Sequence, residues 1–175
     1  KIDVPITRCV KALRTLGWVD ADDCNKFTKD PYNFSINAAN LLRSAASWVH
    51  ILLSKENMYY YSEYKILSTL LYHKEMTTLF VDLFRIKFDP QQSVERKGNE
   101  YQKKKEIYNK KVEEIIDRVE RVIFKECLKF CDNIIKTNYF LPTKTGLAFR
   151  LSPEILDPKY YPQKPFAIFL IIGRD

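Results

Sequence analysis

Apolar residues recur every three to four positions through most of this chain and alternate only near its end. Ile6, Val10, Leu13 and Leu16 follow Pro5 and stop at Gly17, which predicts a short helix opened by proline and closed by glycine. Asp20 to Pro31 reads as loop. Ser35 is placed to cap a helix reaching about Ser54, with Ile36, Leu41, Leu42, Ala45, Trp48, Val49 and Leu52 turned to a core and small residues allowing close helix contact. Ser62 caps a further helix bearing Tyr64, Leu67, Leu70 and Leu71. Met76, Leu79, Phe80, Leu83 and Phe84 mark the next one, ended at Phe88-Asp89-Pro90 because proline disfavours helix in the residue before it.

The clearest stripe runs from Tyr101 and Tyr108 through Val112, Ile115, Val119, Val122, Ile123, Cys127, Phe130, Cys131 and Ile134, and predicts one long amphipathic helix over about 99–136. Its acid-first i,i+4 pairs, Glu106 with Lys110, Glu114 with Arg118 and Asp117 with Arg121, suit a solvated face. The stripe is wider than a strict coiled-coil seam, so packing within the fold is favoured over a self-associating helical pair. Asn138 breaks the period. Leu147, Phe149 and Leu151 then alternate as a half-buried strand, Ser152 to Pro165 carries four prolines, and Phe166 to Ile172 reads as a buried strand. The expected architecture is mainly α: a multi-helix domain over 1–137, then a junction and first strands over 138–175 that begin the mixed sheet of a following domain.

With 175 residues, 46% apolar and 29% charged, the chain is an ordinary globular segment, and its longest apolar run is too short to span a bilayer. The opening Lys1-Ile2-Asp3 has neither an initiator Met nor a signal-peptide plan, and an apolar strand closes the sequence, so a piece of a longer polypeptide is expected. Cys9, Cys24, Cys127 and Cys131 suffice for two bridges, but their low density favours reduced thiols, and the helical spacing of Cys127 and Cys131 suits small core residues better than zinc ligands.

The net charge of +7 is concentrated: seven Lys and Arg stand against two Glu between Arg96 and Lys111. Phosphate contact by this run, with Tyr101 and Tyr108 stacking on bases, is the rival reading. The tyrosines lie seven apart on the face of Val112 and Ile115, so packing is favoured and nucleic acid disfavoured. Four isolated glycines exclude a dinucleotide-binding turn or a P-loop of the usual kind, and no nucleophile elbow occurs. His50 and His73 have no paired Ser, Cys or Asp signature. Lys144 and Arg150 flank a strand and either meet an anionic ligand or stand exposed. The residues therefore nominate no catalytic, cofactor-binding or metal-binding side chain.

Three stretches in order carry a resemblance: Tyr61 to Ile66 and Leu71 to Glu75 leading to Leu83-Phe84 and Phe88-Asp89-Pro90; Ile134 to Phe140 with Pro142 to Leu151; and Pro165 to Gly173. The chain resembles the large NAD-specific glutamate dehydrogenases over most of Leu41 to Gly173, in the segment just upstream of, and entering, the catalytic domain. The resemblance implies an enzyme oxidising L-glutamate with NAD and water to 2-oxoglutarate, ammonium and NADH. It further implies that this piece is an inactive scaffold or oligomerisation segment binding no NAD itself, with Tyr139 to Leu151 as the joint. Its partners would be the downstream catalytic domain and further copies of the chain. By the same analogy the compartment is intracellular, the mitochondrion in a eukaryote and otherwise the cytoplasm.

Overall fold

The computed structural model describes residues 22–91 and 93–173, so the helix expected from Pro5 to Leu16, and Cys9 with it, lie outside the described residues. Six helices come first: α1 Asp22–Lys26, α2 Ile36–Leu53, α3 Glu63–Tyr72, α4 Lys74–Phe88, α5 Val94–Glu114 and α6 Arg118–Asn133. Strands β1 Ile134–Thr137, β2 Leu147–Leu151 and β3 Ile168–Ile172 follow, with a 3-10 turn at Pro153–Ile155. Mainly α with trailing strands is therefore the architecture.

The two serine caps form as the sequence predicts. Ser35 accepts from the Ala38 amide and Ser62 from the Lys65 amide, both at 3.3 Å, satisfying donors that a helix leaves free at its start. α2 is the hub of the body. Its alanines 38, 39, 45 and 46 are fully buried, which lets α1, α3, α4, α6 and β3 all approach it. α1 corrects the expectation of loop over Asp20 to Pro31: its sequence is a poor helix former, but Cys24 and Phe27 are fully buried, and that tertiary burial holds the turn.

The long helix expected over 99–136 is two helices and the start of a strand. Ile115 to Asp117 interrupt it, and Ile134 to Lys136 already belong to β1. Asp117 takes a β backbone conformation and its Oδ1 accepts from the Glu120 amide at 3.0 Å, capping α6. Arg121 donates to the Ile115 carbonyl at 3.0 and 2.8 Å, satisfying an acceptor freed by the break. The stripe runs on because Val112 and Ile123 are buried on either side of the break and Ile115 within it, while Ile116 is 95% exposed. The expected i,i+4 pairs are not formed among the described residues: Glu113 pairs with Lys125 at 2.6 Å and Arg121 at 3.8 Å, and Asp117 serves as a cap.

The sheet has the order β1-β2-β3, antiparallel throughout. Phe149 stands with its ring centroid 5.5 Å from Phe130 of α6 and 6.1 Å from Phe84 of α4, so the inner face of β2 is an extension of the helical core. The sheet begins four residues ahead of position 138, directly where α6 ends.

Candidate interface on the sheet

The joint between helices and sheet is built from three internal ties. Lys87 of α4 reaches the end of α6, its Nζ donating to the carbonyls of Cys131 and Asp132 at 2.7 Å each and of Ile134 at 3.1 Å. The Asp132 carbonyl belongs to the last turn of α6, the Cys131 carbonyl also accepts from the Ile134 amide, and the part-buried ammonium of Lys87 reaches across to the first carbonyl of β1. Burial lowers the Lys87 pKa from the ordinary lysine value, while nearby Cys131 and Asp132 oppose that shift.

Asn138 is the second tie. Its side chain donates to the Gly146 carbonyl and accepts from the Ala148 amide, both at 2.8 Å, closing the loop between β1 and β2. Lys144 is the third: its Nζ donates to the carbonyls of Tyr139 at 2.8 Å and Leu141 at 3.0 Å. Lys144 therefore stiffens its own loop. Tyr139 is buried with its ring 4.8 Å from Phe84. A Cβ at Gly146 would lie 3.2 Å from the Ile172 carbonyl, so this glycine lets β3 draw close.

Beyond these ties the sheet has two unlike faces. Leu147, Phe149 and Leu151 point inward and are buried; Ala148 and Arg150 alternate outward. Arg150 is the register partner of Lys136 on β1 and of Phe169 on β3, and Ala148 of Ile171. Phe169 is 63% exposed, Ile171 66% and Phe166, just before β3, 96%. This corrects the expectation of a buried strand over Phe166 to Ile172: a continuous apolar run reads as buried on both sides, whereas β3 is covered on one. Among the described residues β3 pairs only with β2, leaving one edge open.

A concave feature lies where the helices break. His73 joins α3 to α4, Ile115 to Asp117 join α5 to α6, and between them opens a cleft of about 700 Å³. Its polar groups are engaged with one another. Glu120 accepts from Lys65 at 3.3 Å and meets His73 Nε2 at 2.8 Å, Lys111 pairs with Glu75 at 2.8 Å, and the His73 ring stands edge-on to Phe124. Sequence reading missed Glu120 as the partner of His73 because forty-seven positions separate them.

Three lysines of the basic run are tied into the fold, while Lys103 and Lys110 stand exposed. Lys104 pairs with Asp82 at 2.7 Å and Lys105 with Asp132 at 2.8 Å, in addition to Lys111 with Glu75. Tyr108 is fully buried and donates to the Phe124 carbonyl at 3.0 Å; Tyr101 is buried and donates to Asp132 at 2.7 Å. Neither ring is free to stack on a base. Cys24, Cys127 and Cys131 are buried thiols, and burial pushes Cys131 up to about 11, well away from the reactive thiolate. Among the described residues no group of His, Cys, Asp or Glu could hold a metal ion, and no helix is long and apolar enough to cross a membrane.

The chain is similar to Glutamate dehydrogenase 2 of Dictyostelium discoideum, with 28% identity over 124 residues, 70% of this chain and 12% of that protein. It is 36% identical over 59 residues to the NAD-specific glutamate dehydrogenase of Saccharomyces cerevisiae, covering 33% of this chain and 5% of that one. A protein of the same name from Neurospora crassa is 33% identical over 69 residues, 39% of this chain and 7% of its own. The chain thus matches no more than about an eighth of the length of these relatives. No family model and no solved structure matches it.

Proposed function

Taking the chain's membership of the NAD-specific glutamate dehydrogenase family as premise, we propose that it is a non-catalytic supporting segment of such an enzyme, presenting one finished body and one unfinished sheet to the remainder of the polypeptide. The enzyme as a whole would transfer a hydride from L-glutamate to NAD and release 2-oxoglutarate, ammonium and NADH. The observation that carries this reading is the sheet: β3 is edge-open, and its outer side chains Phe169 and Ile171 are exposed next to Arg150. An isolated protein gains nothing from such a face, whereas a segment covered by further chain buries it.

In this reading NAD is held by the remainder of the enzyme. A pyrophosphate needs a helix start with free amides and close backbone approach. At the cleft the α6 start is capped by Asp117, and of the two lysines among the walls Lys111 is paired with Glu75. The segment's contribution would be mechanical. Lys87 binds α4, the end of α6 and β1 into one unit, so the sheet has a rigid base on which a catalytic domain can be oriented. Assembly into a homo-oligomer belongs to the same proposal.

The test is glutamate-dependent NADH formation by the intact gene product, compared with a version lacking residues 22–173. Activity in the first and its loss in the second, together with altered assembly, is expected. An active, normally assembled deletion would overturn the supporting role, and a glutamate-inert intact protein would overturn the enzymatic one.

A further inference from the structure

Resting on the reading above, the structure also assigns a chemistry to what covers the sheet. We propose that Lys136 and Arg150 form a carboxylate-recognition pair for an acidic, apolar protein element of the longer polypeptide, laid across the outer face of the sheet. Lys136 and Arg150 are direct register partners on neighbouring strands, which places their Cα atoms about 5 Å apart. Like charges in that position repel and weaken the pairing of the strands. Neither side chain forms an ion pair or hydrogen bond among the described residues, and the Arg150 Nε is buried without any partner. The other cations nearby behave differently: Lys87 and Lys144 are spent on backbone carbonyls, and Lys105 on Asp132.

An anion between the two cations resolves all three features at once. It turns repulsion into two attractions, satisfies the buried Nε, and lets the guanidinium receive a carboxylate in its planar fork while lying beside Phe169. The choice of a protein element over a free small acid follows from shape. The pair stands on an open sheet face next to Phe169 and Ile171, both exposed, whereas the cleft at the helix breaks lies elsewhere in the fold. A small acid there would stay mostly in water. A segment with apolar residues over Phe169 and Ile171 would exclude water from the pair and strengthen the contact.

The experiment uses the intact gene product. The acylation rate of Lys136 by an amine reagent is compared, by peptide mass spectrometry, with that of Lys103 and Lys110, exposed lysines of α5. Lys136 is expected to react about tenfold more slowly, equivalent to ~1.4 kcal/mol of contact. A carbodiimide, which joins an amine to a carboxylate with loss of water, is expected to link Lys136 to an Asp or Glu outside residues 22–173. The Lys136→Glu, Arg150→Glu double variant should lose the protection of this face from protease, and placing Lys at the linked acid should restore it. Equal reactivity of the three lysines would overturn the proposal. So would protection appearing only when glutarate or inorganic phosphate is added, which would make the pair a site for free anions. NADH formation is read on the same preparations, so a protected Lys136 in a glutamate-inert protein sinks the enzymatic reading alone, and an active protein with unprotected Lys136 sinks this one.

Discussion

Lys87 in the helical body and Arg150 on the sheet are both half-buried cations, and they meet opposite surroundings. Lys87 gives its three donors to three carbonyls, whereas Arg150 faces a second cation and leaves its Nε without a partner. The contrast extends to the regions around them. In the body, Lys104 and Lys105 of α5 find acids on α4 and α6, Tyr101 and Tyr108 are buried, and α2 and α3 start on serine caps. On the outer sheet face, apolar side chains and positive charge stand together without cover. The body has unpartnered buried atoms of its own at Asn40, Trp48 and Thr69, but they are neutral; Arg150 is the cation among them, and it stands beside a second positive charge.

The comparison breaks most sharply if the two faces of the sheet respond alike to truncation. Phe149→Ala, removing a fully buried ring between Phe84 and Phe130, should cost about 3–5 kcal/mol in urea unfolding of the 175-residue chain. Phe169→Ala, two thirds exposed one strand away, should stay within about 0.5 kcal/mol in the same assay. Equal losses would mean that the outer face is already packed, and the interface reading would fall.

Next in size is the tie itself. Lys87→Met keeps most of the aliphatic stem but removes the ammonium from the carbonyls of Cys131, Asp132 and Ile134, of which Cys131 retains the Ile134 amide, at a cost of about 2 kcal/mol. Amide exchange would show where the cost falls: protection should drop at the α6–β1 junction before it drops in α2. The cap at Ser62 is a smaller device. Ser62→Ala should cost about 1 kcal/mol and fray the first turn of α3 alone.

These devices also show what was readable from the residues. Ser35, Ser62 and Pro90 announce helix ends by local chemistry, and Leu147, Phe149 and Leu151 announce a strand by alternation, so those elements fall where the sequence predicts. The break at Ile115 to Asp117 is hidden because Ile115 and Val119 keep the apolar period across it; Asp117 with Glu120 three residues on is the capping signal that marks it. The exposure of β3 is hidden for the opposite reason, since an unbroken apolar run carries no sign of which side is covered. Lys144 and Arg150 are alike as sequence, two cations bracketing a strand. Only the loop geometry, which turns Lys144 inward, and the register, which sets Arg150 beside Lys136, separate a structural lysine from a binding arginine.

The smallest effects lie in pH, and there too two positions of one helix oppose each other. The Asp117 carboxyl is held below the usual carboxylate range, chiefly by the Glu120 amide that it caps, so its ionised form favours the fold. That stabilisation is complete above the ordinary carboxylate range and is lost as acid protonates the group through its lowered folded range. Glu126, further along α6, is pushed up chiefly by burial, with Lys129 only partly offsetting it. Its folded form holds a proton that the unfolded chain has already released, so stability falls as pH rises through that window. Glu126→Gln should therefore raise the unfolding free energy in urea at neutral pH, by less than about 1 kcal/mol given its partial exposure, and leave it unchanged in acid. Asp117→Asn should do the reverse, lowering stability at neutral pH and flattening the acid limb. If both variants shift the curve equally at every pH, the two carboxyls act through packing alone, and the α6 start has no electrostatic advantage over its middle.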